Sequence, residues 1–130
     1  MQACPSTIGS SQAEGVVYAP SDGVISLDDI TRYRDRLRAD ADFSPEMHSL
    51  ADLGDVTVFE PTSTDMASIV RDDPFGPDSL HAAVARADIV FGMLRMYDFR
   101  VHRTASQSRV FREMADARRW LDLKAEGRGS

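Results

Sequence analysis

Three segments of the C-terminal third decide the fold: Phe91-Gly92-Met93-Leu94-Arg95-Met96-Tyr97, then Arg109-Val110-Phe111-Arg112, then Ala117-Arg118-Arg119-Trp120-Leu121. The first lies on a long amphipathic helix expected from Ala87 to about His102. The second ends a short strand expected over Gln107–Phe111. The third lies on a closing helix expected from Glu113 to about Leu123, with Met114, Ala117, Trp120 and Leu121 on its inner face because they recur at helical spacing.

The same alternation continues upstream. Gly15-Val16-Val17-Tyr18-Ala19 is rich in β formers, Pro20-Ser21-Asp22-Gly23 carries turn chemistry ending in Asp-Gly, and Val24-Ile25 resumes strand character. This predicts a hairpin of two short strands. Ser26 and Asp29 form a capping box, and Leu27, Ile30, Tyr33, Leu37 and Ala41 make an apolar stripe on the helix that follows. Its other face carries Arg32, Arg34, Asp35, Arg36 and Arg38, which read as a solvated surface. Phe43-Ser44-Pro45 ends the helix, since a residue before proline avoids the α region. Met47–Leu53 is a strand, and Val56–Phe59 follows after a short break. Thr62 or Ser63 caps a second helix through Val70. The breaker-rich loop Asp72-Asp73-Pro74-Phe75-Gly76-Pro77-Asp78 leads into a strand over Leu80–Ala85. Strands alternating with helices predict an α/β fold: a mixed, mostly parallel sheet of four or five strands with about four helices, the opening hairpin supplying the antiparallel pair.

The quoted motifs, in this order, resemble the SpoIIAA-like family, bacterial relatives of the STAS domain. That pattern has a hairpin, a helix, and a strand ending in a Val-Asp-Leu-type motif, matched here by Asp52-Leu53. It continues with the Phe91-Gly92-Met93-Leu94-Arg95-Met96 helix, the Val110-Phe111-Arg112 strand, and Ala117 with Trp120-Leu121. The likeness covers residues 14–123, flanked by an expected loose arm over 1–13 and a tail over 124–130. The chain departs from the pattern at Ala87, where a Ser-type cap is usual, so that helix start relies on Asp88. It departs again at Pro61-Thr62-Ser63-Thr64, which replaces the Asp-Ser-Ser-Gly of anti-sigma-factor antagonists. The resemblance implies a non-enzymatic, cytoplasmic, regulatory domain that docks a protein partner.

Composition agrees with one globular domain: 130 residues, 42% hydrophobic and 28% charged. A net charge of −6 argues against nucleic-acid binding, which rests on clustered Lys and Arg. No run is long and apolar enough for a membrane span. Met1–Glu14 lacks a basic n-region and an apolar h-region, so a cytoplasmic location is expected. The lone Cys4 excludes an intramolecular disulfide.

Candidate chemistry is sparse. Thr62, Ser63 and Thr64, with Met66, form the candidate phospho-switch and partner-docking segment, because a phosphate there would meet a helix N-terminus. The alternative for Thr62 is a plain N-cap completed by Asp65. Phe91, Met93, Met96 and Tyr97, with Leu94 and Phe99, make a broad apolar stripe that could line a lipid-like ligand site or a dimer interface. The competing reading is core packing against the sheet. Gly92 inside this helix suggests a close approach of helix to sheet. His48, His81 and His102 show no metal-ligand spacing, and no nucleophile, Gly-rich phosphate loop or cofactor motif stands out. Asp72, Asp73 and Asp78 read as a solvated loop. Two functions are therefore expected: regulatory docking through Thr62–Met66, or carriage of an apolar ligand beside the third helix. An enzyme would require a histidine beside a carboxylate in a pocket.

Overall fold

The computed structural model describes residues 15–71, 73–101 and 107–129, with Val70, 97–101 and 125–129 in backbone only. Strands and helices alternate strictly: β1 (Val16–Ile25), α1 (Leu27–Ala39), β2 (His48–Phe59), α2 (Ser63–Arg71), β3 (His81–Val84), α3 (Asp88–Val101), β4 (Ser108–Phe111) and α4 (Met114–Gly129). The α/β class, four strands and four helices are as expected. The strands lie in the order β1-β2-β3-β4, and all three pairings are parallel.

That topology explains the layering. Successive crossovers of one hand, always stepping the same way across the sheet, put their helices on one face. Ile30 from α1, Met66 from α2, and Val90 and Leu94 from α3 pack with Ile25, Leu53 and Phe59 on that face. On the other face, α4 lays Ala117, Trp120 and Leu121 against Leu50, Ala82 and Val84. The inner stripe of α4 is the one its spacing predicts. The helix runs on to Gly129, past the expected end near Leu123. A third cluster joins Val17, Leu37 and Phe75 below α1.

The expected hairpin does not form. Residues 16–25 make one strand, parallel to β2, with register shifts between Pro20 and Asp22 and between Gly23 and Val24. The Asp-Gly signal serves a bulge instead of a turn: Gly23 has φ 69°, which favours glycine. Pro20 is tolerated because β1 is an edge strand. The resemblance to the SpoIIAA-like pattern thus lacks its opening element. The break expected after Leu53 is likewise absorbed within a single 12-residue β2. The long partner strand explains both differences, since a parallel ladder satisfies the main-chain groups of residues 20–25 that a turn would leave outside the sheet.

The helix starts follow their residues. Ser26 caps α1, its hydroxyl accepting from Asp29 N at 3.2 Å while Ser26 N donates to Asp29 Oδ2 at 2.9 Å. The α3 start carries Asp88, which pairs with Arg112 at 2.6 Å. Gly92 meets no atom within 4 Å of an added Cβ, so the expected close approach is absent. Among the described residues, no helix is long and apolar enough to cross a membrane.

Candidate functional site

Parallel register brings small side chains together on the face that α1, α2 and α3 cover. Ala19, Ala51 and Ala83 stand side by side on β1, β2 and β3, with Val110 next in the row on β4. Two residues earlier on each strand, and so on the same face, the row reads Val17, Ser49, His81, Ser108. Alanine or serine thus fills positions where a covered parallel strand usually carries Val, Ile or Leu. The helices cannot descend far enough to close the gap. A cavity of about 240 Å³ remains, roofed by Ile30 and Tyr33 of α1, Met66 and Ile69 of α2, and Leu94 of α3. Leu53 and Phe59 also line it.

The lining is mostly apolar in area, with Tyr33, Arg34, Asp73 and His81 forming one polar wall and Ser21, Asp29, Ser49, Ser108 and Arg109 as further polar residues. Asp73 organises it. Its Oδ1 accepts from Phe75 N at 3.0 Å, and the carboxylate faces Arg34 Nη2 and His81 Nε2, each at 3.5 Å. Arg34 also donates to the Ile69 carbonyl, tying α1 to α2. The His81 ring meets Phe75 edge to face, with centroids 5.4 Å apart. The Tyr33 hydroxyl is buried and has no hydrogen-bond partner among the described residues.

Burial pushes the Tyr33 phenol up to about 12, with Arg34 opposing and Asp73 reinforcing the rise. At neutral pH it is therefore an uncharged donor. Its folded value lies above the ordinary 10.0, so the stability tied to the neutral phenol is complete below pH 10 and is lost as pH rises toward 12. Tyr33→Phe removes that dependence. Denaturant titrations at about pH 9 and about pH 11.5 should show the parent losing on the order of 2 kcal/mol more than the variant. Equal losses would mean that the phenol ionises freely in the fold.

Several expected residues fall elsewhere. Thr62 is the N-cap of α2: its hydroxyl accepts from Asp65 N at 3.1 Å, and Thr62 N donates to Asp65 Oδ2 at 3.0 Å. Ser63 is half-buried and Thr64 exposed in the first turn of α2, whereas Met66 turns inward and lines the cavity. Phe91 is half-buried under the Arg112 guanidinium, 4.4 Å from the ring centroid. Met93 packs against the core, and Met96 is exposed. From α3 it is Leu94 that reaches the cavity. The side chain of Tyr97, like Phe99, His102 and Cys4, lies outside the described residues. His48 Nδ1 accepts from Leu80 N at 2.9 Å.

Two readings of the sequence are corrected here. Arg34 does not belong to the solvated face, because Ile30, Tyr33, Arg34 and Leu37 share the inward stripe at i, i+3, i+4 and i+7. Its side chain is only 14% exposed, and that of Asp73, expected in a solvated loop, 17%. Among the described residues, no group of three or more His, Cys, Asp or Glu could hold a metal ion.

Comparison of the chain with protein-family models, curated proteins and solved structures returned no match.

Proposed function

We propose that this domain is non-enzymatic and binds one small, largely apolar ligand between its sheet and helices α1 to α3. The observation that carries this reading is the cluster of small side chains Ala19, Ala51, Ala83, Ser49 and Ser108 in two adjacent rows, which leaves about 240 Å³ between sheet and helices. An apolar cavity of about 150 Å³ is enough to take up benzene. Native mass spectrometry on gently purified protein should show a retained small molecule, or uptake of one equivalent of added toluene. A bare chain that takes up nothing would contradict it.

A second reading rests on α2. Met66 and Ile69 roof the cavity, and the N-cap and first turn of the same helix carry Thr62, Ser63 and Thr64. Regulatory docking of a protein partner, in the manner the SpoIIAA-like resemblance implies, would use the helix that roofs the cavity. Ser63→Asp should then change partner affinity while circular dichroism and thermal unfolding stay as in the parent. An unchanged affinity would remove the switch from this helix start.

The Asp73–His81 pair does put a histidine beside a carboxylate in a pocket, the arrangement an enzyme would require. In the binding reading the pair braces the polar wall: Asp73 holds Arg34 and His81 in place, and Arg34 holds α2 over the cavity.

A further inference from the structure

The floor of the chamber is divided. Ala19, Ala51 and Ala83 form an apolar row, and two residues earlier on β2, β3 and β4 stand Ser49, His81 and Ser108, a polar one. The rows lie about 6.6 Å apart, the length of two residues along a strand. Resting on the cavity reading, we infer that the ligand is amphipathic. Its apolar body lies over the alanine row. Its head is uncharged, carries a donor and an acceptor side by side as a carboxamide does, and pairs with the Ser49 hydroxyl beside the His81 ring.

The charged groups of the lining argue against an ionised head. Asp29 accepts from Ser26 N at 2.9 Å and pairs with Arg32 at 2.7 Å. Asp73 faces Arg34 and His81 at 3.5 Å each, and Arg34 also donates to the Ile69 carbonyl. Arg109 alternates with Ser108 and Val110, so its side chain leaves the floor for the α4 face, where its guanidinium lies over the Phe111 ring. A carboxylate, phosphate or ammonium would therefore be desolvated with its counter-charge already engaged. The neutral groups place the head. Ser49 shares the strand face of Ala51 and lines the chamber. Its hydroxyl has no hydrogen-bond partner among the described residues, and unlike the Tyr33 hydroxyl it is not closed off from the chamber. A serine hydroxyl both donates and accepts, and so does a neutral imidazole. Neighbouring strands lie about 4.8 Å apart, so a one-atom head reaches one member of the polar row, whereas a donor and an acceptor side by side reach two. The alanine row, with Leu53, Phe59 and Leu94, receives the hydrocarbon or aromatic body.

The test uses three probes with one body: toluene, 4-methylbenzamide and 4-methylbenzoate, titrated calorimetrically at neutral pH into the parent, Ser49→Ala and Ser21→Ala. In the parent, the amide should bind about tenfold more tightly than the benzoate. Ser49→Ala should weaken the amide about tenfold and leave toluene unchanged, the toluene result also showing that the variant is folded. If Ser49→Ala leaves amide affinity unchanged while toluene still binds, the seat of the head is overturned and the cavity reading stands. A loss of amide affinity in Ser21→Ala but not in Ser49→Ala would put the head at the α1 end of the chamber and overturn the orientation. Tighter binding of the benzoate than of the amide would overturn the uncharged head. If toluene and the amide both fail to bind the parent, the cavity reading falls and this inference with it.

Discussion

An Ala83→Leu variant should resist denaturant better than the parent and take up no small apolar ligand. Ala83 stands in the middle of the cavity floor, between Ala51 and Val110. Leucine adds three carbons at that point. If the space is there, each buried carbon contributes about 0.8 kcal/mol, and the variant gains about 2 kcal/mol. If the interior were already filled, the same change would overpack it and cost about 1–3 kcal/mol. The sign of the stability change therefore decides whether the chamber is real. Loss of toluene binding, read by calorimetry on the same variant, decides whether the chamber is where ligand goes. A more stable protein that still binds would put the ligand elsewhere.

Leu50→Ala should do the reverse. Leu50 is fully buried on β2, on the opposite face of the sheet, against Leu80 and, from α4, Trp120 and Leu121. Removing its side chain opens a void between two rigid layers and should cost about 2–5 kcal/mol. That is a large share of the roughly 5–15 kcal/mol that holds an ordinary domain together. Chemical denaturation measures it. Toluene affinity of the folded fraction should stay within about threefold of the parent, because changes at well-separated sites add nearly independently. A cost below about 1 kcal/mol would mean that α4 is loosely attached and the three-layer description is wrong. Together the two variants separate a face built to be packed from a face built to be left open.

Local chemistry was legible in the residues; register was not. Ser26 with Asp29 and Thr62 with Asp65 announce the starts of α1 and α2, since capping depends on a few neighbouring residues. Ala117, Trp120 and Leu121 announce the buried face of α4 through helical spacing alone. Asp22-Gly23 misleads because the same left-handed glycine serves a hairpin turn or a bulge, and a distant strand, β2, decides which. The cavity floor is harder still. Ala19, Ala51 and Ala83 lie more than thirty residues apart in sequence and become neighbours only once β1, β2 and β3 are aligned. A usable signal was present, in that each of these strands carries alanine or serine where its neighbours on the buried face would be branched. Arg34 was legible too, at i+4 from Ile30 on the inward stripe, but its charge argued for solvent. Its buried partner Asp73 belongs to a loop that spacing could not place.

The alanine methyl groups provide the most direct measurement. With methyl-labelled alanine, one equivalent of toluene should shift the Ala19, Ala51 and Ala83 resonances together and saturably, while Ala117 on the inner face of α4 stays unmoved. No shift at the three floor alanines, or an equal shift at Ala117, would contradict a ligand chamber between the sheet and helices α1 to α3.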